Sequence, residues 1–286
     1  LEAARNQNAD SWYRLAAAWW IQPDTVQSVA LTLYEHGDQS VAAYGPTDAR
    51  LLYAQGLVRF ALFSRLRTEP LISIDAVPSE LIREAAASLA AHEAWADSIR
   101  LAGTLVRRPG GVAADGSLFW PRPWPDLFEK ASADSGIAQH ILYALARSES
   151  LFQPAVVSMA GAVGLTQLMP TTAEETAGRL RIESYTLTEP WDNLMLGSSY
   201  LKRMLSAVDG RLLEAVYAYN AGLSRARSWK ARAKTMALDL LLETLDYEET
   251  RQYGRNIATA SIMYASLYGG QDPAQLMSIV MTGSVD

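Results

Sequence analysis

Apolar residues recur along almost the whole chain at the three-to-four-residue spacing of an amphipathic helix, with Pro and Gly at the breaks. The pattern predicts an all-α fold. Asp24 is placed to cap a helix through Leu31 and Tyr34 that ends at Gly37. Thr47 is placed to cap one from Asp48 to about Arg67, stopped before Pro70. Ser79 opens another, and helices joined by short turns continue to about Val106, in the manner of stacked helical hairpins but with no fixed repeat period. The stretch RRPGGVAADGS, Arg107 to Ser117, concentrates Pro, Gly and small polar residues and is the expected linker. It divides the chain into a helical region, 1–117, and a second domain, 118–286. Pro125 then starts a helix to about Ser132. Ile137, Ile141, Leu142 and Leu145 mark the apolar face of the next, whose last turn carries Arg147, Ser148, Glu149 and Ser150.

A length of 286 residues fits two domains at roughly 150 residues each. With 25 Lys and Arg against 31 Asp and Glu, the chain lacks the basic excess of a nucleic-acid footprint, so a neutral or cationic partner is expected instead. The absence of Cys removes disulfides, thiol catalysis and iron-sulfur ligation. His36, His92 and His140 are far apart, with no second His or carboxylate at ligand spacing, so neither a metal nor another cofactor is expected. No apolar run reaches the roughly 18 residues of a membrane span. The longest, Leu15 to Ile21, lies between Arg14 and Gln22. Opening at Leu1 without a charged segment followed by an apolar one, the sequence reads as a soluble, processed chain with any signal peptide outside it.

The informative stretch runs from Ala144 to Glu175. Glu149 sits at a helix C-terminus, where the dipole is negative, beside Leu151 and Phe152, which can exclude water. Both effects raise a carboxyl pKa and suit a general acid near neutral pH. A polar, uncharged loop follows, with Gly161 and Gly164 permitting positive φ or close approach, and then Gln167 and Met169 before Pro170. Such a segment can line a groove. Thr171 with Glu174 matches a capping box at the next helix start. Further on, Asn220 in AYNAG favours a helix end with Gly222 at its cap, and Glu249 opens a long helix to about Tyr268.

Four ordered motifs, Glu149-Ser150, GLTQLMP (Gly164 to Pro170), AYNAG (Ala218 to Gly222) and ETRQY (Glu249 to Tyr253), resemble those of the soluble lytic transglycosylases over roughly residues 119 to 270. Ser158 and Gln167 fall nine and eighteen residues past the Glu, as in that family. The resemblance implies a lysozyme-like catalytic domain acting on peptidoglycan glycan strands in the periplasm or cell envelope, with Glu149 as the single catalytic acid and base. It further implies that Ser158 positions the acid and the substrate acetamido group. Gln167, Met169 and Thr172 would line the saccharide groove, Tyr219 and Asn220 would shape it, and Glu249 and Tyr253 would lie beside the catalytic Glu. Departures are Thr166 where the family usually has Met, and Leu151 where it usually has Ala. Residues 1–117 resemble, in helical content and position alone, the superhelix preceding the catalytic domain of the larger members.

Each of these residues also has an ordinary structural role open to it. Ser158 can bond loop backbone, Met169 can fill a core, Tyr219 and Tyr253 can be half-buried helix aromatics, and Glu249 can simply favour a helix N-terminus. Trp120, Trp124, Trp191 and Trp229 are better read as core than as sugar platforms. No acidic residue follows Glu149 until Glu174, in keeping with a mechanism that has one carboxyl rather than the usual two. Two other functions remain to be separated: a goose-type lysozyme that hydrolyses the same bond, and a peptidoglycan-binding scaffold with a vestigial site.

Overall fold

The computed structural model describes residues 11–34, 43–109, 111–232 and 247–282. His36 and the expected helix end at Gly37 lie outside them. The described residues are helical and contain no strand beyond the isolated bridges Val157–Val163 and Val163–Leu168. The helices are α1 (Ser11–Ile21), α2 (Val26–Leu31), α3 (Ala49–Arg59), α4 (Arg65–Thr68), α5 (Ser79–Ala91), α6 (Trp95–Val106), α7 (Gly111–Phe119), α8 (Pro125–Ser135), α9 (Gln139–Ser150), α10 (Pro170–Leu180), α11 (Pro190–Ala207), α12 (Leu212–Ala221), α13 (Leu223–Arg232), α14 (Glu248–Tyr268) and α15 (Pro273–Thr282). They form two compact units, Leu31–Arg122 and Leu1–Ala30 together with Pro123–Asp286.

The Leu31–Arg122 unit is built on the α5–α6 hairpin. Ala85 and Ala86 on one helix and Ala102 on the other are fully buried, with Ile82, Leu101 and Leu105 filling the space around them. Small residues at the contact let the backbones approach closely, and the buried Ser98 hydroxyl donates to the Ala86 carbonyl at 2.8 Å. The helix expected from Asp48 to Arg67 is two. Asp48 accepts from the Arg50 N–H at 2.9 Å and caps α3, so Thr47 is not the cap. The chain then leaves the helix at Ala61, at φ 57°, with the Leu62 N–H donating back to the Leu57 carbonyl at 2.8 Å. This is a Schellman ending made without glycine.

Residues 107–117 are not a linker. Most of the stretch is helix α7, and it is pinned at both ends. The Arg108 guanidinium donates to the Val77 carbonyl at 2.8 Å, the Asp75 carbonyl at 3.2 Å and the Ser79 hydroxyl. Asp115, 4% exposed, takes a two-pronged ion pair from Arg83 at 2.6 and 3.0 Å. The glycine content has a packing cause: a Cβ at Gly111 would collide with the Leu105 carbonyl.

The other unit joins the two ends of the described chain. Phe128 of α8 stacks on Tyr143 of α9 at 3.8 Å, and Tyr143 in turn on Tyr264 of α14 at 5.3 Å. On α9, residues Leu142 to Ala146 are all buried, as is the Ile257 to Ala265 face of α14, whose Ala258, Ala260 and Ala265 admit close contact. Gly254 lies against the Tyr217 ring of α12, where a Cβ would collide. Helix α1 belongs here: Trp12, Leu15, Ala17 and Ala18 are buried, and it packs on α14 and α15. The guanidinium of Arg255, 7% exposed, donates to the Tyr13 hydroxyl at 2.9 Å and lies 5.1 Å from the ring centroid. The expected boundary at 117/118 therefore separates α1 from helices it packs against.

Two losses follow from that packing. Deleting residues 1–30 is expected to lower the melting temperature of the unit that holds α14. Tyr13→Phe, which keeps the ring but removes an acceptor for a buried charge, is expected to cost about 1 to 2 kcal/mol. Denaturant unfolding of the full chain checks both, and curves that overlay the wild type would show α1 to be dispensable.

Candidate active site

Helix α9 delivers Glu149 one residue before its end. Leu151 and Phe152 then both take left-handed backbone, at φ 49° and 61°, an uncommon conformation for two consecutive side-chain-bearing residues. The turn is held by the Leu151 N–H on the Arg147 carbonyl at 3.0 Å and by complete burial of Phe152, 6.2 Å from Tyr143 and 6.3 Å from Phe128. Apolar packing thus fixes the direction in which the chain leaves the acid.

The loop that follows is wound on itself. The Gly164 N–H reaches the Val156 carbonyl at 2.9 Å, and Val163 and Leu168 exchange backbone bonds at 2.9 and 3.1 Å. Its outer anchor is Asn193 of α11, which is fully buried. The side-chain Oδ1 accepts from the Thr166 N–H at 2.8 Å and the Thr166 hydroxyl at 2.7 Å, while Nδ2 donates to the Val163 and Leu187 carbonyls at 2.8 and 2.9 Å. Gly164 takes φ 81° and presses on Asn193, while Gly197 presses on Thr166. At both positions a Cβ would collide, so these glycines serve internal packing rather than the approach of a ligand.

Two further bonds connect this loop to helices bearing candidate residues. The Ser150 hydroxyl, next to Glu149, donates to the Leu165 carbonyl at 2.9 Å, and the Tyr219 hydroxyl of α12 donates to the Thr166 carbonyl at 2.8 Å. Tyr253 of α14 donates its hydroxyl to Oε1 of Glu149. Burial pushes the Glu149 carboxyl up to about 7, against the opposing pull of the Tyr253 bond. Burial and proximity to Glu149 both drive Tyr219 and Tyr253 well above the ordinary phenol range. They act as neutral hydroxyls.

Glu149, Tyr219 and Tyr253 thus converge. Tyr200 of α11, not singled out in the sequence, joins them with its ring 4.9 Å from that of Tyr219. A signal was available, because Asn193, Gly197 and Tyr200 share one helix face at spacings of four and three. Gln167, at φ 48°, spends its amide on the loop, donating to Val156 and Gly164 carbonyls at 3.2 and 2.9 Å. Ser158 does likewise, its hydroxyl accepting from the Ala162 N–H at 3.0 Å. Met169 is 40% exposed and so is not core filler. It precedes α10 as its cap residue, with Pro170 opening the helix, so the expected Thr171–Glu174 capping box does not form. Thr172 is half-buried in that first turn.

Asn220 is exposed in the last turn of α12, which Gly222 closes as expected, and its side-chain oxygen accepts from the Thr250 hydroxyl at 3.0 Å. Glu249 is exposed in the first turn of α14, where the helix dipole favours it, rather than being drawn into the cluster. Trp120 and Trp229 are buried, and the ammonium of Lys130 lies 3.4 Å from the ring centroid of half-buried Trp191. Among the described residues no group of three His, Asp or Glu side chains is arranged to hold a metal.

The site is thus a helical one with a single half-buried, proton-retaining carboxyl under a phenol donor, flanked by a tightly braced loop. Residues 126–241 match the family described as Transglycosylase SLT domain. The chain is 33% identical over 158 residues to the soluble lytic murein transglycosylase of Salmonella typhimurium, covering 54% of this chain and 24% of that protein. It is 32% identical over 169 residues to the Escherichia coli K12 protein of the same name, covering 57% and 26%. It spans about a quarter of the length of these relatives within the matched segments. In fold it is similar to the 70 kDa soluble lytic transglycosylase of Escherichia coli, at TM-score 0.65 and 20% identity over 98% of this chain and 49% of that one. It is also similar to an inactive variant of the lytic transglycosylase Slt of Pseudomonas aeruginosa, at TM-score 0.64 and 22% identity over 95% and 48%.

The environment of Glu149 has a thermodynamic signature. A carboxyl held at about 7 when folded and 4.5 otherwise stays protonated in the folded chain while the unfolded chain ionises. Its contribution to stability is therefore complete below about pH 4.5 and is lost as the pH rises to 7. Glu149→Gln removes that loss. The variant is expected to gain up to about 2 to 3 kcal/mol over wild type at pH 8 and little at pH 4. A fall in melting temperature at pH 8 would contradict the environment described.

Proposed function

We propose that the chain is a peptidoglycan lytic transglycosylase, cleaving the bond between N-acetylmuramic acid and N-acetylglucosamine in the periplasm or cell envelope and leaving 1,6-anhydromuramoyl ends. The observation that carries this is Glu149: half-buried, protonated up to about pH 7 and in contact with the Tyr253 hydroxyl. Such a carboxyl can give a proton to a glycosidic oxygen and, once ionised, take one back. In the first half-reaction Glu149 protonates the leaving oxygen, and the substrate's own acetamido group steadies the electron-poor C1. In the second, the Glu149 carboxylate, stabilised by Tyr253, removes the proton of the muramoyl C6 hydroxyl, which closes onto C1. The bond to C1 is exchanged for another within the same sugar, so no water is consumed.

Among the described residues, the influences on the Glu149 carboxyl are burial and a hydroxyl, not a second carboxylate, which favours this route over a two-carboxyl mechanism. Met169, Gln167, Thr172 and Asn220 are the proposed saccharide contacts, Ser158 braces the wall that carries them, and Tyr219 shapes the groove. Glu249 is a peripheral contact at most. The substrate is a glycan strand, and the reaction needs no cofactor.

Digestion of purified sacculi with mass spectrometry of the released muropeptides tests the reading. Products one water lighter than hydrolytic ones are expected, and products of hydrolytic mass would establish a lysozyme instead. Binding without release would establish a scaffold. Glu149→Gln is expected to lower turnover by at least about a hundredfold, the lower range for a general acid. A rate falling above about pH 7 is expected for wild type. Tyr253→Phe, by removing the bond that favours the ionised acid, should move that decline to higher pH. A decline left in place would separate Tyr253 from the acid. Met169→Ala should lower kcat/KM without lowering the melting temperature.

A further inference from the structure

Four helices contribute to the Glu149 cluster, α9, α11, α12 and α14, and the backbone of residues 163–166 is bonded to the first three. Helix α9 reaches the Leu165 carbonyl through Ser150, the neighbour of Glu149, at 2.9 Å. Helix α12 reaches the Thr166 carbonyl through Tyr219 at 2.8 Å. Helix α11 holds the same segment through three of the four bonds of the Asn193 carboxamide, two of them on Thr166 and one on Val163, the fourth going to the Leu187 carbonyl. Asn193 and Thr166 are both fully buried. With no exposed surface, neither can meet a substrate. Each carbonyl that the loop offers to α9 and α12 therefore points where the Asn193 amide sets it.

We propose that Asn193 and Thr166 are positioning residues for glycan cleavage: their side-chain pair holds the 163–166 backbone in the one register that keeps the Tyr219 phenol and the Glu149 end of α9 in mutual alignment. The inference rests on the transglycosylase reading. Thr166 is the adjustable member, because among the described residues its hydroxyl is the side-chain group that donates to the Asn193 carboxamide. It also packs directly against Gly197, where no Cβ fits. Removing that hydroxyl leaves the Thr166 N–H on the same Oδ1 and the Val163 carbonyl on Nδ2, so the loop stays folded but is held by two carboxamide bonds where there were three. Reacting groups misplaced by about 1 Å can cost two orders of magnitude in rate, so partial loosening should appear in turnover before binding.

The test uses the full chain on soluble peptidoglycan glycan strands, with kcat and KM measured below the melting temperature of every variant. Thr166→Val is expected to lower kcat about tenfold with KM within twofold of wild type, and Thr166→Ser to restore kcat to within about threefold. Tyr219→Phe removes the hydroxyl that the Thr166 carbonyl receives. Combined with Thr166→Val it should lose less than the product of the two single losses, as coupled residues do. Wild-type kcat in Thr166→Val, an equal loss in Thr166→Ser, or fully multiplicative losses in the double variant would overturn the assignment. Wild-type protein that releases no anhydromuropeptides would remove the transglycosylase reading itself, an outcome distinct from any difference between variants of an active enzyme.

Discussion

The carboxamide of Asn193 is the constraint on which the site's geometry depends. A fully buried amide has two acceptor and two donor positions to satisfy, and leaving any of them open costs about 1 to 3 kcal/mol. Here all four are used, and on three different residues, Val163, Thr166 and Leu187. Satisfying one side chain consequently dictates the course of a loop far from it in sequence. The glycines at 164 and 197 follow from the same demand, because the amide and the loop come too close for a Cβ at either position. A loop so fixed needs neither strand pairing nor a bound ion to present a defined wall.

At Glu149 two opposed influences leave a carboxyl that changes charge near neutrality. Burial disfavours the anion, whereas the Tyr253 hydroxyl supports it. Desolvation alone would hold a strong proton carrier that could not return to the base form. A fully solvated carboxylate would never be protonated when substrate arrives. The balance suits the acid and base roles proposed for Glu149, and a phenol suits the supporting part, since it donates without bringing a charge of its own.

Much of this was legible in the sequence because it obeys local rules. Glu149 does close a helix, Gly222 does cap α12, and the long helix beginning at 248 follows its apolar period. What escaped reading depended on contacts between distant segments. Residues 107–117 carry loop-like composition, yet Gly111 is there because a carbonyl passes too close for a side chain, and Asp115 is there for Arg83. The break at Ala61 is a left-handed residue with no glycine to announce it. The Thr171–Glu174 pair has the letters of a capping box, but Pro170 starts the helix one residue earlier. Asn193 and Tyr200 sit within an ordinary amphipathic helix, and only the packing of a loop and a ring on that face separates them from surface polar residues.

The attachment of α1 to α14 bears on the order in which the protein is made. Tyr13 and Arg255 are 242 residues apart, and the whole Leu31–Arg122 unit is synthesised between the two portions that must meet. At roughly 5 to 20 residues per second, α1 leaves the ribosome more than ten seconds before its partner exists. During that interval the apolar face of Trp12, Leu15 and Ala18 has neither α14 nor α15 to cover it. Tyr253, two residues from Arg255, arrives equally late, so the acid is without its phenol until nearly all of the described chain has been translated. A nascent chain arranged in this way lacks the assembled Glu149–Tyr253 pair for most of its synthesis.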